Sequence, residues 1–320
     1  MITLDKASKK YGTTYGLRDV SVYIDAGETV GLLGLNGAGK TTAMNLITGY
    51  FPPSSGKVLI NGKDMASGSR QCRRMIGYLP EVPPLYGEMT PQEYLRFVCE
   101  LREVQHKSIS GHVEEILTLC GLQEVRKRTM SRLSKGYRQR CGIAQALCGS
   151  PEILIFDEPT VGLDPKQNTE IRELIRQLGK EHTILFSSHI LPEVQQLCPR
   201  VLILSEGRLV CDFDRNAPRH GPCRFRVKIA GSPETVMNRL HHLDHDIQAD
   251  PLPSDEKGIT EARLTLPDYS PEAADRVFRL LTASSLPVRQ FIEERETLEE
   301  VFLREVKNGE VSVESEEHSS

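Results

Sequence analysis

The sequence predicts an α/β fold, a mainly parallel sheet wrapped by helices and interrupted by a helical insertion, followed by a small α+β domain. Three observations predict it. Short, nearly continuous apolar runs such as Ile153-Leu-Ile-Phe156, Thr183-Ile-Leu-Phe186 and Val201-Leu-Ile-Leu204 alternate with longer helical patterns, as parallel strands buried on both faces require. A glycine-rich turn joins one such run to a helical pattern at residues 34–41. Beyond residue 222, a strand-like run followed by a Ser-Pro-Glu helix start occurs twice.

In chain order, Thr29-Val-Gly-Leu-Leu33, Lys57-Val-Leu-Ile60 and Met75-Ile-Gly-Tyr-Leu79 are the first expected strands. From about Leu85 to Met130 no strand signal is found. Thr90-Pro-Gln-Glu93 there is a capping box with Pro at the first helical position, so this segment is read as the inserted helical subdomain. Asp164-Pro165-Lys166-Gln167 is a second helix start of the same kind. The runs at 153–156, 184–186 and 201–204 are placed at the centre of the sheet. Turn residues in Asn216-Ala-Pro218 and His220-Gly-Pro222 break the pattern, which sets the domains at 1–214 and 222–307. Strands at Arg224–Ile229, Asp246–Ala249, Ala262–Leu266 and Val288–Ile292, with helix starts at Ser232-Pro-Glu234 and Ser270-Pro-Glu272, make a ferredoxin-like βαββαβ order. Thr297-Leu-Glu-Glu300 opens a last short helix, and 308–320 reads as an acidic, disordered tail.

The chain has 320 residues, 38% of them hydrophobic, enough for one large domain and a small one. A formal charge of −4 lacks the basic surplus of a nucleic-acid binder, so no nucleic acid is expected as a partner. Acid is concentrated at one end: ten Glu lie between Glu293 and Ser320, against Arg295, Arg304 and Lys307. The eight cysteines show no C-x-x-C pair and fit reduced thiols of a cytoplasmic protein. Met1-Ile-Thr-Leu-Asp-Lys6 has neither the basic nor the apolar region of a secretory signal, and no run approaches the roughly 18 apolar residues of a membrane span. A membrane role is therefore expected to be peripheral and to work through a partner. His241-His242-Leu-Asp-His245-Asp246 is read as a solvated helix end, since neighbouring helical side chains diverge by about 100°.

Gly34-Leu35-Asn36-Gly37-Ala38-Gly39-Lys40-Thr41 fits G-x-x-x-x-G-K-[ST] in full, between an expected strand and the helix opening at Thr42. Glycines let successive backbone N–H groups point at phosphate oxygens, and a helix N-terminus adds positive potential. Lys40 is expected to reach the β- and γ-phosphates and Thr41 to ligate Mg²⁺. Asp157-Glu158 ends a strand at the carboxyl edge, where open α/β sheets bind ligands. Asp157 is assigned to the metal and Glu158 to the catalytic base that accepts a proton from the attacking water. These parts alone leave kinases, GTPases and helicases open.

Leu133-Ser134-Lys-Gly136-Tyr-Arg-Gln-Arg140, Asp157-Glu158, Gly162-Leu-Asp164 and His189 follow in an order that resembles the ABC ATPase family. The resemblance implies ATP and Mg²⁺ as cofactors and a head-to-tail homodimer enclosing two ATP molecules. Ser134 and Gly136 would then face the nucleotide held by the other copy, His189 would contact the γ-phosphate, Asp164 would organise the opposite site, and Tyr11 would stack on adenine. Glu81 stands where the family usually has Gln, and retains an oxygen for Mg²⁺ or water. Lys135 and Tyr137 also depart from the usual signature. With Ile76-Gly-Tyr-Leu-Pro-Glu-Val-Pro-Pro-Leu-Tyr86, these variants resemble a subgroup that pairs with export-type permeases of drug efflux, sodium export and gliding motility.

The function this implies is the ATP-hydrolysing, energy-coupling subunit of a transporter, placed on the cytoplasmic face of the membrane by a separate integral membrane permease. The alternative is a soluble ABC ATPase acting mechanically on a non-membrane partner. Family members of that class carry two ATPase domains in one chain or a long coiled coil between phosphate loop and signature, and this sequence has neither.

Overall fold

In the computed structural model the described residues are 1–67, 70–216, 223–242, 244–254, 256–267, 270, 272–294 and 297–304. The chain divides into two compact units, Met1–Asn216 with the chain from Val301, and Ala217–Glu300. The sequence reading carried the second domain to 307 instead. Helical backbone over 298–304, with Leu298 and Val301 buried, straddles the division, which turn residues alone do not reveal. Residues 217–222 and the acidic tail lie outside the described residues.

In the first unit the elements are β1 (Ile2–Tyr11), β2 (Thr14–Ile24), β3 (Thr29–Leu33), α1 (Lys40–Ile47), β4 (Ser55–Ile60), β5 (Lys63–Asp64), α2 (Arg70–Arg74) and β6 (Ile76–Leu79). They continue through α3 (Pro91–Leu101), α4 (His106–Leu119), α5 (Lys135–Leu147), β7 (Ile153–Asp157), α6 (Pro165–Leu178), β8 (Thr183–Ser188), α7 (Leu191–Leu197), β9 (Arg200–Ser205) and β10 (Arg208–Asp214). The six-stranded sheet runs β10-β9-β3-β8-β7-β6, parallel except for the antiparallel edge strand β10. Every residue of β7 and β8 is buried, so their apolar runs are those of strands covered on both faces.

Two expectations are corrected. The 57–60 run does not join the parallel sheet. It is β4, which pairs antiparallel with β1 in a second sheet ordered β2-β1-β4-β5. The reason is packing: Ile2, Leu4, Val20, Ile24, Val58 and Ile60 share one core with Val30, Leu32, Ile153, Ile155, Leu185 and Leu202, which needs a second sheet facing the first. Of the three runs expected at the centre, only 184–186, in β8, has at least two strands on either side; 153–156 in β7 and 201–204 in β9 each lie one strand from an edge, next to β6 and β10.

The helix starts read from sequence are built as capping predicts. Thr90 accepts from Glu93 N–H at 3.3 Å while Glu93 Oε2 accepts from Thr90 N–H at 2.9 Å, opening α3. Asp164 Oδ1 accepts from Gln167 N–H at 2.9 Å with Pro165 at the first turn of α6.

The second unit contains β11 (Cys223–Ala230), α8 (Pro233–His241), β12 (Gln248–Leu252), β13 (Ile259–Leu266), α9 (Ala273–Ala283) and β14 (Val288–Glu294). Its antiparallel sheet is ordered β12-β13-β11-β14, the strand order of a ferredoxin-like βαββαβ unit. Alternate residues Phe225, Val227 and Ile229 of β11 pack with Val236, Leu240, Val277 and Leu281 of the helices. β12 starts at Gln248 rather than Asp246, because Asp244 and Asp246 are drawn into pairs with Arg276. His241 Nε2 lies 3.1 Å from the Ala249 carbonyl oxygen. Thr297 and Glu300 exchange backbone and side-chain hydrogen bonds, a capping box at the last helical stretch.

Candidate functional site

The strand–turn–helix from β3 to α1 builds one wall of a cavity of about 480 Å³ lined by residues 35–42, Gly16, Glu81, Glu158, Val161 and His189. The turn closes tightly. Gly39 caps α1 at φ 103°, and a Cβ there would sit 2.5 Å from the Gly16 carbonyl oxygen, so neither the conformation nor the space admits a side chain. Lys40, first residue of α1, is only 7% exposed. Its ammonium donates to Gly34 O at 2.6 Å and Leu35 O at 3.3 Å and lies 3.4 Å from Glu158 Oε1.

β7 delivers the two carboxylates to the same edge. Thr41 Oγ1 donates to Asp157 Oδ2 at 3.0 Å, and Ser187 Oγ on the neighbouring strand donates to Asp157 Oδ1 at 2.6 Å. Burial pushes the Asp157 carboxyl above the ordinary carboxylate range, against the hydrogen bonds from Ser187 and Thr41 and with the help of the Glu158 charge. Glu158 has φ 48°, a left-handed conformation uncommon outside glycine, and its N–H donates to Ser187 Oγ at 2.9 Å. His189, after β8, places Nδ1 2.9 Å from Glu158 Oε2.

The structure thus brings Lys40, Thr41, Thr42, Glu81, Asp157, Glu158 and His189 together. Tyr11 does not line the cavity, but a Cβ on Gly16 would meet its ring at 2.7 Å and Thr42 Oγ1 at 2.9 Å, so the ring borders the lining. Tyr11 is 45% exposed and packs edge-on against Phe51. Ser134, Gly136 and Asp164 lie outside this lining. Ser134 caps α5 and Asp164 caps α6, both exposed. These two helix starts adjoin each other, since a Cβ on Gly136 would meet Gln167 Oε1 at 2.4 Å and one on Gly162 would meet Lys135 Nζ at 2.2 Å.

Ser187 and Gly16 escape a reading of motifs. Ser187 joins Asp157 and Glu158 only because β7 and β8 are paired with Asp157 opposite Ser187. Its signal in the sequence was merely its place at the end of an apolar run, two residues before His189.

A family model described as ABC transporter matches residues 17–161. The bacitracin transport ATP-binding protein BcrA of Bacillus licheniformis is 32% identical over 307 residues, which are 94% of this chain and 96% of the relative. The chain belongs to the ABC transporter family. An uncharacterized ABC transporter ATP-binding protein of Nostoc sp., all4389, is 44% identical over 200 residues, covering 61% of this chain and 58% of the relative. Among solved structures, the ATP-binding cassette MJ0796, a dimer in a post-hydrolysis state bound to ADP and Pi, matches with a TM-score of 0.63 and 25% identity, over 68% of this chain and 100% of that one. This ABC chain is an ATP-binding, ATP-hydrolysing subunit, with the P-loop ATPase fold in its first unit. Among its described residues no helix is long and apolar enough to cross a membrane.

Proposed function

We propose that the cavity at residues 34–42 binds Mg²⁺·ATP, that Glu158 is the base for its hydrolysis, and that two copies of the chain work on a separate export-type permease. The observation that carries the chemistry is the meeting of Lys40 Nζ and His189 Nδ1 on the two oxygens of Glu158, at 3.4 and 2.9 Å. Backbone N–H groups at the start of α1 and the Lys40 ammonium receive the phosphates. The Tyr11 ring, beside Gly16, offers a face for adenine. His189 contacts the γ-phosphate and Glu158 takes the proton of the attacking water.

Mg²⁺ fits the donors present. Thr41 Oγ1 and Asp157 Oδ2 are hard oxygen donors 3.0 Å apart, and Glu81 offers another carboxylate on the cavity wall. Among the described residues no cluster of three or more His, Cys, Asp or Glu side chains is arranged to hold a metal, and Mg²⁺ characteristically completes its shell from phosphates and water. When bound, the ion neutralises phosphate charge next to carboxylates that would otherwise repel it.

Ser134 and Asp164, outside the cavity and exposed at their helix starts, with Gly136 buried in the first turn after Ser134, suit contact with the nucleotide of a second copy, an isologous arrangement that a homodimer satisfies. Coupling to a separate permease on the cytoplasmic face of the membrane is the reading that two relatives support, BcrA being named for bacitracin transport and LnrL of Bacillus subtilis for linearmycin resistance.

Glu158→Gln tests the reading. It is expected to bind Mg²⁺·ATP while hydrolysis falls by about 10²–10⁴-fold, the usual contribution of a general base; normal turnover would require another base. The same variant, tagged and recovered with ATP from gently solubilised membranes, is expected to bring down a multi-spanning protein. Recovery solely with ribosomes would overturn the permease assignment.

A further inference from the structure

Glu193 is 5% exposed, in the first turn of α7, and takes no part in any motif that defines the site. Its Oε2 accepts from Thr160 Oγ1 at 2.7 Å and from Ser188 Oγ at 3.2 Å. Both hydroxyls are themselves buried, Thr160 at 2% and Ser188 at 0% exposure, and Ser188 Oγ also accepts from Ile190 N–H at 3.0 Å. Among the described residues Glu193 forms no salt bridge. A carboxylate taken out of water without a cation is costly, and an apolar side chain in its place would pack without that cost. What the carboxylate does instead is converge two segments on one oxygen atom.

Those two segments leave the ends of β7 and β8 on the way to the site. Thr160 stands two residues after Glu158 and four before Asp164, while Ser188 immediately precedes His189. A parallel tie lies one residue earlier along β8, where Ser187 Oγ holds Asp157 Oδ1 and the Glu158 N–H. The first tie fixes where β7 ends. The second, through Glu193, fixes where the chain goes next.

We infer that Glu193 is a positioning residue for ATP hydrolysis, clamping the 158–164 segment to the segment that carries His189, so that the His189–Glu158 contact and the Asp164 helix start move as one body. The inference rests on the roles proposed above for Glu158 and His189. It assigns Glu193 no contact with substrate. Its effect passes through Thr160 and Ser188, and it therefore falls on turnover rather than on nucleotide binding.

The test compares Glu193→Ala, Glu193→Gln, Thr160→Val and the double variant Glu193→Ala/Thr160→Val in the full chain, by kcat and KM for Mg²⁺·ATP, with the melting temperature followed in each. Misplacing a catalytic group by a fraction of its contact distance costs about ten- to a hundredfold. Glu193→Ala and Thr160→Val are each expected to lower kcat by that order while KM changes less than about threefold. Glu193→Gln recovers most of the loss, because the two hydroxyls share one acceptor oxygen, which an amide retains. The double variant is expected to lose no more than the worse single one, as for two halves of one contact. Three outcomes overturn the inference: wild-type kcat in Glu193→Ala and Thr160→Val, multiplicative losses in the double variant, or loss of kcat and nucleotide affinity together in proportion to lost thermal stability. Glu158→Gln run alongside separates the two readings. If it hydrolyses ATP normally, the base assignment fails; if it is inactive while Glu193→Ala is normal, only the clamp fails.

Discussion

His189 Nδ1 and Glu158 Oε2 lie 2.9 Å apart, although 31 residues separate them along the chain. The contact joins the ends of two adjacent parallel strands, and its other half is the 3.4 Å approach of Lys40 Nζ to Glu158 Oε1. Glu158 is thus held from both sides, on a backbone turned into the left-handed region. His189→Ala frees one side only. It is expected to lower kcat by about ten- to a hundredfold with ATP affinity nearly kept, measured by steady-state hydrolysis beside equilibrium nucleotide binding. An unchanged kcat would remove His189 from the mechanism.

Lys40→Ala removes the ammonium that faces the phosphate turn. Hydrogen bonds to charged groups contribute about 1.5–3 kcal/mol, so ATP affinity is expected to fall by at least about ten- to a hundredfold and turnover to become undetectable. Isothermal titration with Mg²⁺·ATP reads this directly, and wild-type affinity would refute the phosphate role.

The cap of α3 makes a stability prediction away from the site. Thr90→Ala removes the hydroxyl that accepts from Glu93 N–H, and costs about 1 kcal/mol in urea unfolding. The N–H of Thr90, and then its hydroxyl, hold the Glu93 carboxyl below its ordinary value of 4.5. A depressed folded-state value means stability that is fully present above the unfolded value and lost as pH falls through the folded one. The stability gap between wild type and Glu93→Gln is therefore expected to be constant near neutral pH and to close below about 4.5. A gap independent of pH down to 3 would show that the capping box does not act through the carboxylate.

Gly31 in β3 tests how closely α7 must approach the sheet. A Cβ there would sit 2.3 Å from Val194 Cγ1 and 3.3 Å from Cys198 Cβ, and Val194 is fully buried. Gly31→Ala is expected to cost about 1–3 kcal/mol by overpacking. Because α7 carries Glu193, kcat should fall as well. Adding Val194→Ala should restore part of the stability, and failure of that second change to help would place the strain elsewhere.

The parts legible in the chain are those whose geometry is complete within one strand, turn or helix end. Gly34 to Thr41 announces a phosphate turn because glycine torsions, an amide row and a helix start all fall in eight consecutive residues. The caps at Thr90, Asp164, Ser232 and Thr297 are equally local, each closed by a side chain and a backbone group three residues apart. The βαββαβ order of the second unit followed from two strand-and-helix pairs.

Sequence alone thus determined the phosphate turn, the strand-end carboxylates and the strands it named from Thr29 onward, since these depend on torsions and hydrogen bonds between near neighbours in the chain, while β1, β2, β5 and β10 went unread. Only the tertiary structure decided which strands lie side by side. Burial of Ile2, Val58 and Ile60 against Val30, Ile153 and Leu185 split the strands into two facing sheets, where the apolar runs separated by helical patterns had suggested one. Pairing of β7 with β8 set Ser187 opposite Asp157 and brought His189 onto Glu158. Glu193 became a partner of Thr160, 33 residues away, by the same pairing. Such neighbours are chosen by which apolar faces can be removed from water together, a property of the packed elements and not of any single segment.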